Sequence, residues 1–152
     1  MQAHIRNDLL YILRVMEACS KIMLYAKEYS SPEVFFQAND QKEFNASLNL
    51  LGQIGEQSSR LSKTLVTKYP SIDWTAMRGM RNRIVHDYTG IDVFITFETI
   101  KSFVPKLPVE LALIIRTEIR EGNFDLEELK VARQSPYLKH VDFSLLEEEL
   151  KG

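Results

Sequence analysis

The stretch Trp74-Thr75-Ala76-Met77-Arg78-Gly79-Met80-Arg81-Asn82-Arg83-Ile84-Val85-His86-Asp87-Tyr88 holds the residues best suited to chemistry. Three arginines fall within six positions, and a histidine and a tyrosine follow them. Histidine titrates near neutral pH, so it can take up or release a proton during a reaction. A guanidinium grips phosphate oxygens through paired N–H groups and stabilises negative charge as it builds. Together these groups suit cleavage of an RNA strand by its own 2′-hydroxyl. That reaction needs a group to remove the hydroxyl proton and one to protonate the leaving oxygen. It also needs positive charge at the phosphorus centre, and it requires no metal.

Placed on a helix at ~100° per residue, the stretch separates into faces. Met77, Met80, Ile84 and Tyr88 fall on one side, the expected core face. Gly79, Asn82 and His86 fall together on nearly the opposite side, with Arg78 and Arg83 on the flanks. Gly79 costs a helix interior about 1 kcal/mol and lets a backbone or a phosphate come close. Arg81 and His86 stand about 140° apart round the helix, so one helix does not stack them. Arg81 must reach round, or the site is completed across a dimer. The same residues also fit a solvated basic flank, with His86 as a partner to the helix dipole.

The elements that must hold this stretch read as helices. Six glycines and five prolines punctuate the chain, and long stretches have neither. The pattern predicts an all-α protein, an up-and-down antiparallel bundle of about five helices with a helical C-terminal tail. The first helix is expected from about Arg6 to Tyr29, with Leu9, Ile12, Leu13, Met16, Ile22, Met23 and Ala26 as its apolar stripe. Pro32 opens a short helical turn. Asn39-Asp40 is the expected cap of a second long helix, from about Gln41 to Lys68, with Phe44, Leu48, Leu51, Ile54, Leu61 and Leu65 inward. Tyr69-Pro70 ends it, and Asp73 caps the third helix, Trp74 to Asp87. A fourth runs from Asp92 to Phe103 with Val93, Phe94, Phe97 and Ile100 inward. Pro105 and Pro108 are expected to break the chain before a fifth, Val109 to Arg120. The expected division is a bundle over residues 1–121 and an extension over 122–152.

Composition removes other classes. The 152 residues are 45% hydrophobic and carry 19 basic against 21 acidic side chains, a formal net charge of −2. A chain of this size and apolar content builds a core, and disorder is excluded as its main state. Broad coating of nucleic acid is not expected from a slightly acidic chain, whereas a local basic site is allowed. The single cysteine, Cys19, excludes a disulfide framework and reads as a core residue. His4, His86 and His140 lie far apart and lack metal-ligand spacing. No apolar run reaches ~18 residues, and no signal peptide opens the chain, so a cytoplasmic protein without a membrane span is expected. Phosphate-binding glycine loops and serine nucleophile elbows are missing. Gly52-Gln53-Ile54-Gly55 spells a nucleic-acid clamp, but it sits within a predicted helix, where close helix packing is expected instead.

The block Arg81-Asn82-Arg83-Ile84-Val85-His86-Asp87-Tyr88 is R-x-x-x-x-H-x-Y with asparagine directly after the arginine. It resembles the HEPN superfamily and, within it, the HepT-like toxins. Leu51-Gly52-Gln53-Ile54-Gly55-Glu56 resembles that family's I-G-E segment. Tyr69-Pro70-Ser71-Ile72-Asp73-Trp74 resembles its Y-P-x-I-x-W connector. Arg78-Gly79-Met80-Arg81-Asn82 and Asp87-Tyr88-Thr89-Gly90-Ile91-Asp92 extend the match, which covers about residues 5–110. The resemblance implies a bundle that forms a homodimer, with two R-x-x-x-x-H motifs meeting in a cleft. It implies a metal-independent endoribonuclease, without a cofactor, that is the toxin of a type VII-like toxin–antitoxin pair. Arg81 would bind the phosphate, His86 would be the general acid or base, and Asn82 would orient either. Arg78 and Arg83 would contact the RNA, a tRNA or an mRNA. Tyr88 would accept AMP from an MntA-like nucleotidyltransferase antitoxin, and added phosphate beside a cationic site would repel RNA.

A second reading is a non-catalytic HEPN module that scaffolds a nucleotidyltransferase or RNA. Gln53 and Gln57 flank the I-G-E segment where the family is usually less polar, and the tail from about Glu110 has no counterpart there. Glu147-Glu148-Glu149 is a candidate mask for the basic cleft.

Overall fold

The computed structural model describes residues 2–86 and 90–151, with side chains described over 7–81 and 90–151. It is all-α, without strands among the described residues. Three helices form the frame of the site: α1 (Gln2–Ala26), α3 (Lys42–Ser59) and α5 (Trp74–His86), with α3 lying between the other two. Short α2 (Pro32–Gln37) and α4 (Lys63–Lys68) sit at the two ends of α3. The chain continues through α6 (Val93–Glu98), α7 (Leu107–Arg120), α8 (Leu126–Arg133) and α9 (Glu147–Lys151).

The expected stripe of α1 is buried at Leu9, Ile12, Leu13, Met16, Ile22 and Ala26. Met23 departs from it and is exposed, while Val15, Ala18 and Cys19 turn inward. Burial pushes the Cys19 thiol well above its ordinary range, so it stays a neutral core group. The expected second helix is two helices. Its chain turns at Arg60–Ser62, where Asp8, buried on α1, accepts from the Ser62 backbone N–H (2.8 Å) and hydroxyl (2.5 Å). Ser62 in turn accepts from the Leu65 N–H and caps α4. Leu61 within the turn and Leu65 after it are both buried, so apolar spacing carries no sign of it.

The start of α3 also differs from expectation. Asn39, Asp40 and Gln41 take left-handed backbone angles (φ 50°, 59° and 68°), and Gln41 precedes α3 without a side-chain cap. Asn39 donates its amide to Glu43 Oε1 at 2.6 Å instead. Asparagine and aspartate tolerate this conformation better than most residues.

Pro105 and Pro108 do not break the chain. A π-helical turn over Thr99–Phe103 and a 3-10 turn over Val104–Lys106 carry α6 into α7. The Val104 N–H reaches Thr99 O and Leu107 N–H reaches Val104 O, a shifted ladder that accommodates the proline without a donor. Phe97 and Ile100 are buried here as expected, whereas Phe94 is exposed. Gly122, at φ +78°, ends α7, and the Asn123 and Phe124 N–H groups fold back on Glu118 O.

Residues after Gly122 pack on the bundle. Phe124, Leu129, Leu138, Val141 and Leu146 join the buried core. Buried Glu17 on α1 accepts from the His140 backbone N–H (2.6 Å) and contacts His140 Nδ1 (2.7 Å). Glu147 and Glu149 pair with Arg133 and Arg120, so these acids of the candidate mask are engaged on α8 and α7.

Candidate functional site

Arg81 is held from two directions by α3. Its backbone sits on Gly55: a Cβ built there would stand 2.4 Å from Arg81 N and 2.6 Å from Arg81 Cβ. No real side chain fits those distances, so glycine is what lets α5 lie this close. Of the G-x-x-G expected to serve helix packing, Gly55 does so, inside α3. The next residue holds the side chain. Glu56 Oε2 lies 2.6 Å from Arg81 Nε. Glu56 meets the guanidinium at its Nε edge, and Arg81 remains 47% exposed. Its terminal nitrogens are the edge that suits a phosphate.

The helix that carries Arg81 is fixed at its start. Asp73 Oδ1 accepts from the Ala76 N–H at 3.0 Å, as the sequence predicts for a cap. Trp74 is buried and donates its indole N–H to Tyr69 O at 2.8 Å. The Tyr69 hydroxyl reaches Glu118 Oε2 at 2.5 Å, and Lys68 Nζ reaches the same oxygen at 2.7 Å. Asn123 completes the shell on Oε1 at 3.0 Å. Burial alone would raise the Glu118 carboxyl; the donors from Lys68, Tyr69 and Asn123 outweigh it and hold it below the ordinary range. The Tyr69 phenol is pushed up to about 12 by burial and by its bond to Glu118, and the Lys68 ammonium is also raised, chiefly by Glu118. The Y-P-x-I-x-W connector thus clamps the entry to α5 against the end of α7.

Met77 and Met80 are buried, as the core face requires. Arg78 is exposed on the flank. Gly79 borders a hollow of about 430 Å³ between α5 and the π-helical turn, lined also by Ala76, Met80, Ile95, Thr99 and Phe103. Beyond its own helix, no described atom lies within 4 Å of a Cβ built on Gly79, so no neighbouring element among the described residues exploits its missing side chain. Asn82, Arg83 and His86 belong to α5 by backbone, and their side chains lie outside the described residues. Tyr88 lies outside the described residues altogether. Three residues that the sequence reading did not place in the site stand beside Arg81: Gly55, Glu56 and Arg60, the last donating to Glu56 Oε1 at 3.2 Å. The signal for them was a glycine inside a helix followed by an acid. No cluster of three or more His, Cys, Asp or Glu side chains fit for a metal occurs among the described residues. No helix among them is long and apolar enough to cross a membrane.

An all-α bundle whose α5 carries R-x-x-x-x-H is the architecture that the resemblance to the HEPN superfamily implies. The family described as ribonuclease HepT-like matches residues 15–114, well over half of the chain, and the protein belongs to that family. Among its relatives is MJ1380 of Methanocaldococcus jannaschii, provisionally named an RNase. It is 26% identical over 104 residues, 68% of this chain and 93% of the relative. A probable ribonuclease HepT of Thermococcus cleftensis is 29% identical over 97 residues, covering 64% of this chain and 86% of the relative. MJ1216 of the same Methanocaldococcus species, also provisionally named an RNase, is 27% identical over 106 residues, 70% of this chain and 85% of the relative. No solved structure matches the chain significantly.

Proposed function

We propose that the protein is an endoribonuclease that cleaves RNA at Arg81 and His86, and that it is the toxin of a toxin–antitoxin pair. The observation that carries this reading is the two-sided hold on Arg81. A packed glycine fixes its backbone, a carboxylate takes one edge of its guanidinium, and the side chain still opens to solvent. A purely structural arginine would be expected to spend its donors on the fold.

In the reaction, the 2′-hydroxyl gives its proton to a base and its oxygen attacks phosphorus. The bond from phosphorus to the 5′-oxygen breaks, and that oxygen takes a proton. The products are a cyclic phosphate end and a free 5′-hydroxyl. His86 supplies one of the two proton transfers, and in a homodimer the second copy's His86 would supply the other. Arg81 stabilises the charge on the non-bridging oxygens. Asn82, one helical turn before His86, orients the imidazole or the phosphate. Arg78 and Arg83 contact the strand. Substrate, a tRNA or mRNA, is met in the cytoplasm. An MntA-like nucleotidyltransferase is the inhibiting partner, and AMP on Tyr88 places negative charge beside the arginines.

The test is cleavage of total tRNA and mRNA in EDTA by protein whose intact mass shows no added AMP. Wild type is expected to cleave, and His86→Ala to lose on the order of 10²–10⁴ in rate. A folded, unmodified wild type that cleaves neither RNA would overturn the ribonuclease reading in favour of a binding module.

A further inference from the structure

The carboxylate that meets Arg81 also holds a second arginine. Glu56 Oε2 contacts Arg81 Nε, and Glu56 Oε1 accepts from Arg60 Nη2 at 3.2 Å. Arg60 is 49% exposed, and its guanidinium carbon stands 6.0 Å from the centre of the Tyr11 ring. One residue along α3, Gln57 Oε1 accepts from Arg14 Nη1 at 3.4 Å. Arg14 on α1, Arg60 just past α3 and Arg81 on α5 are all exposed, and all are tied to the consecutive residues Glu56 and Gln57. Two of these guanidiniums share the Glu56 carboxylate and the third is held by a neutral amide, a local excess of positive charge on a chain of net charge −2.

We propose that this row is a second RNA-binding subsite, in which the strand gripped at Arg81 continues over Glu56 and Gln57 onto Arg60 and Arg14. The inference rests on the ribonuclease reading of Arg81. Glu56 is the positioning residue of the row: one oxygen engages each of two arginines, so their spacing is fixed before RNA arrives. Only one edge of each is taken, which leaves donors for a phosphate. Tyr11 backs Arg60 with a ring face that favours a cation. Gln57 holds Arg14 by its amide oxygen and adds no charge that would repel the strand. Single-stranded RNA is the ligand class because the row joins the Arg81 site through a shared carboxylate. Arginine on a flexible stem suits a backbone that carries one charge per nucleotide.

The experiment measures binding of a labelled single-stranded RNA between 50 and 200 mM salt, with His86→Ala protein as the parent so that the strand stays whole. Each of Arg60→Ala and Arg14→Ala is expected to weaken binding several-fold and to lower the salt slope by about 0.7. Both positions are exposed, so folding is preserved, and circular dichroism checks it. Lys106→Ala removes an equal charge from the approach to α7 and is expected to leave the slope unchanged. With His86 intact, Glu56→Gln is expected to lower kcat and raise KM together, whereas Arg60→Ala acts mainly on KM. Slopes for Arg60→Ala and Arg14→Ala equal to the parent's, with cleavage by wild type intact, would overturn the subsite alone. A parent that binds RNA in a protein that never cleaves it would overturn the ribonuclease reading, and the two slopes then still decide the subsite. A parent that binds no RNA overturns both.

Discussion

Two glutamates hold α5 in place, and they do so in opposite ways. Glu118 is 3% exposed and is surrounded by donors from Lys68 and Tyr69, about fifty residues away, and from Asn123 just past its own helix. The fold occupies its partners: Lys68 divides its ammonium between Glu118 and Glu121, and the Tyr69 hydroxyl and Asn123 amide both donate to Glu118. Glu56 is 38% exposed on its side chain, and both of its arginines keep about half of their surface in water. The first carboxylate completes a joint. The second leaves its partners' remaining donors available. Chemistry alone does not separate them; burial and the count of unspent donors do.

The contrast is broken most directly by removing each carboxylate. Glu118→Ala takes away a buried acceptor of several charge-assisted bonds, and a stability loss of about 2–4 kcal/mol is expected. Glu56→Ala breaks only exposed pairs, which contribute roughly 0–1 kcal/mol. Catalysis at a temperature where both are folded is expected to invert the order, with Glu56→Ala slower and Glu118→Ala near wild type. Urea melts paired with RNA cleavage would check both. Equal stability losses would erase the distinction.

Gly55→Ala tests the seat beneath Arg81. The added methyl meets α5 backbone, which has no rotamer by which to move aside. Overpacking of this kind costs about 1–3 kcal/mol. A displaced Arg81 is expected to lower cleavage as well. Gly79→Ala is the sharpening control, because a methyl there meets nothing within 4 Å. In that helical position it is expected to be neutral or to stabilise by up to about 1 kcal/mol. Thermal melts of the two variants should therefore move in different directions.

These two glycines show what a single sequence makes legible. The all-α class was readable from the spacing of glycine, proline and apolar residues. Asp73 announced the start of α5 by its type and place. Arg81 stood out because three arginines crowd an otherwise slightly acidic chain. Gly55 and Gly79 look alike in sequence, each a glycine inside a helix, yet one is filled by Arg81 and the other faces a hollow. Helical periodicity places a residue on a face of its own helix and is silent about which neighbour lies opposite. The pairing of Glu56 with Arg81 spans 25 positions on two helices, so no local pattern encodes it. The turn at Arg60–Ser62 was hidden for a related reason. It is held by Asp8, 54 residues away, while the apolar spacing runs on through it. Pro105 misled in the other direction. A proline usually ends a helix, but a π-helical turn before it shifted the hydrogen bonds past the missing donor.

The smallest expected effect lies in the pH dependence of the Glu118 joint. Its carboxyl is held below the ordinary value, so the folded state favours the ionised form. That contribution is complete above the unfolded value near 4.5 and is lost as pH falls through the lower, folded value. The Tyr69 phenol moves the other way, raised from 10 to about 12. The folded state favours its protonated form, so this contribution is complete below pH 10 and fades as pH rises toward 12. The Tm gap between wild type and Glu118→Gln should therefore be flat from pH 6 to 9 and narrow at the acid end. The gap between wild type and Tyr69→Phe should be flat over the same range and narrow at the alkaline end, each by on the order of 2–4 °C. A Glu118 gap that stays level down to pH 3 would mean that the joint is held by packing and not by its charge.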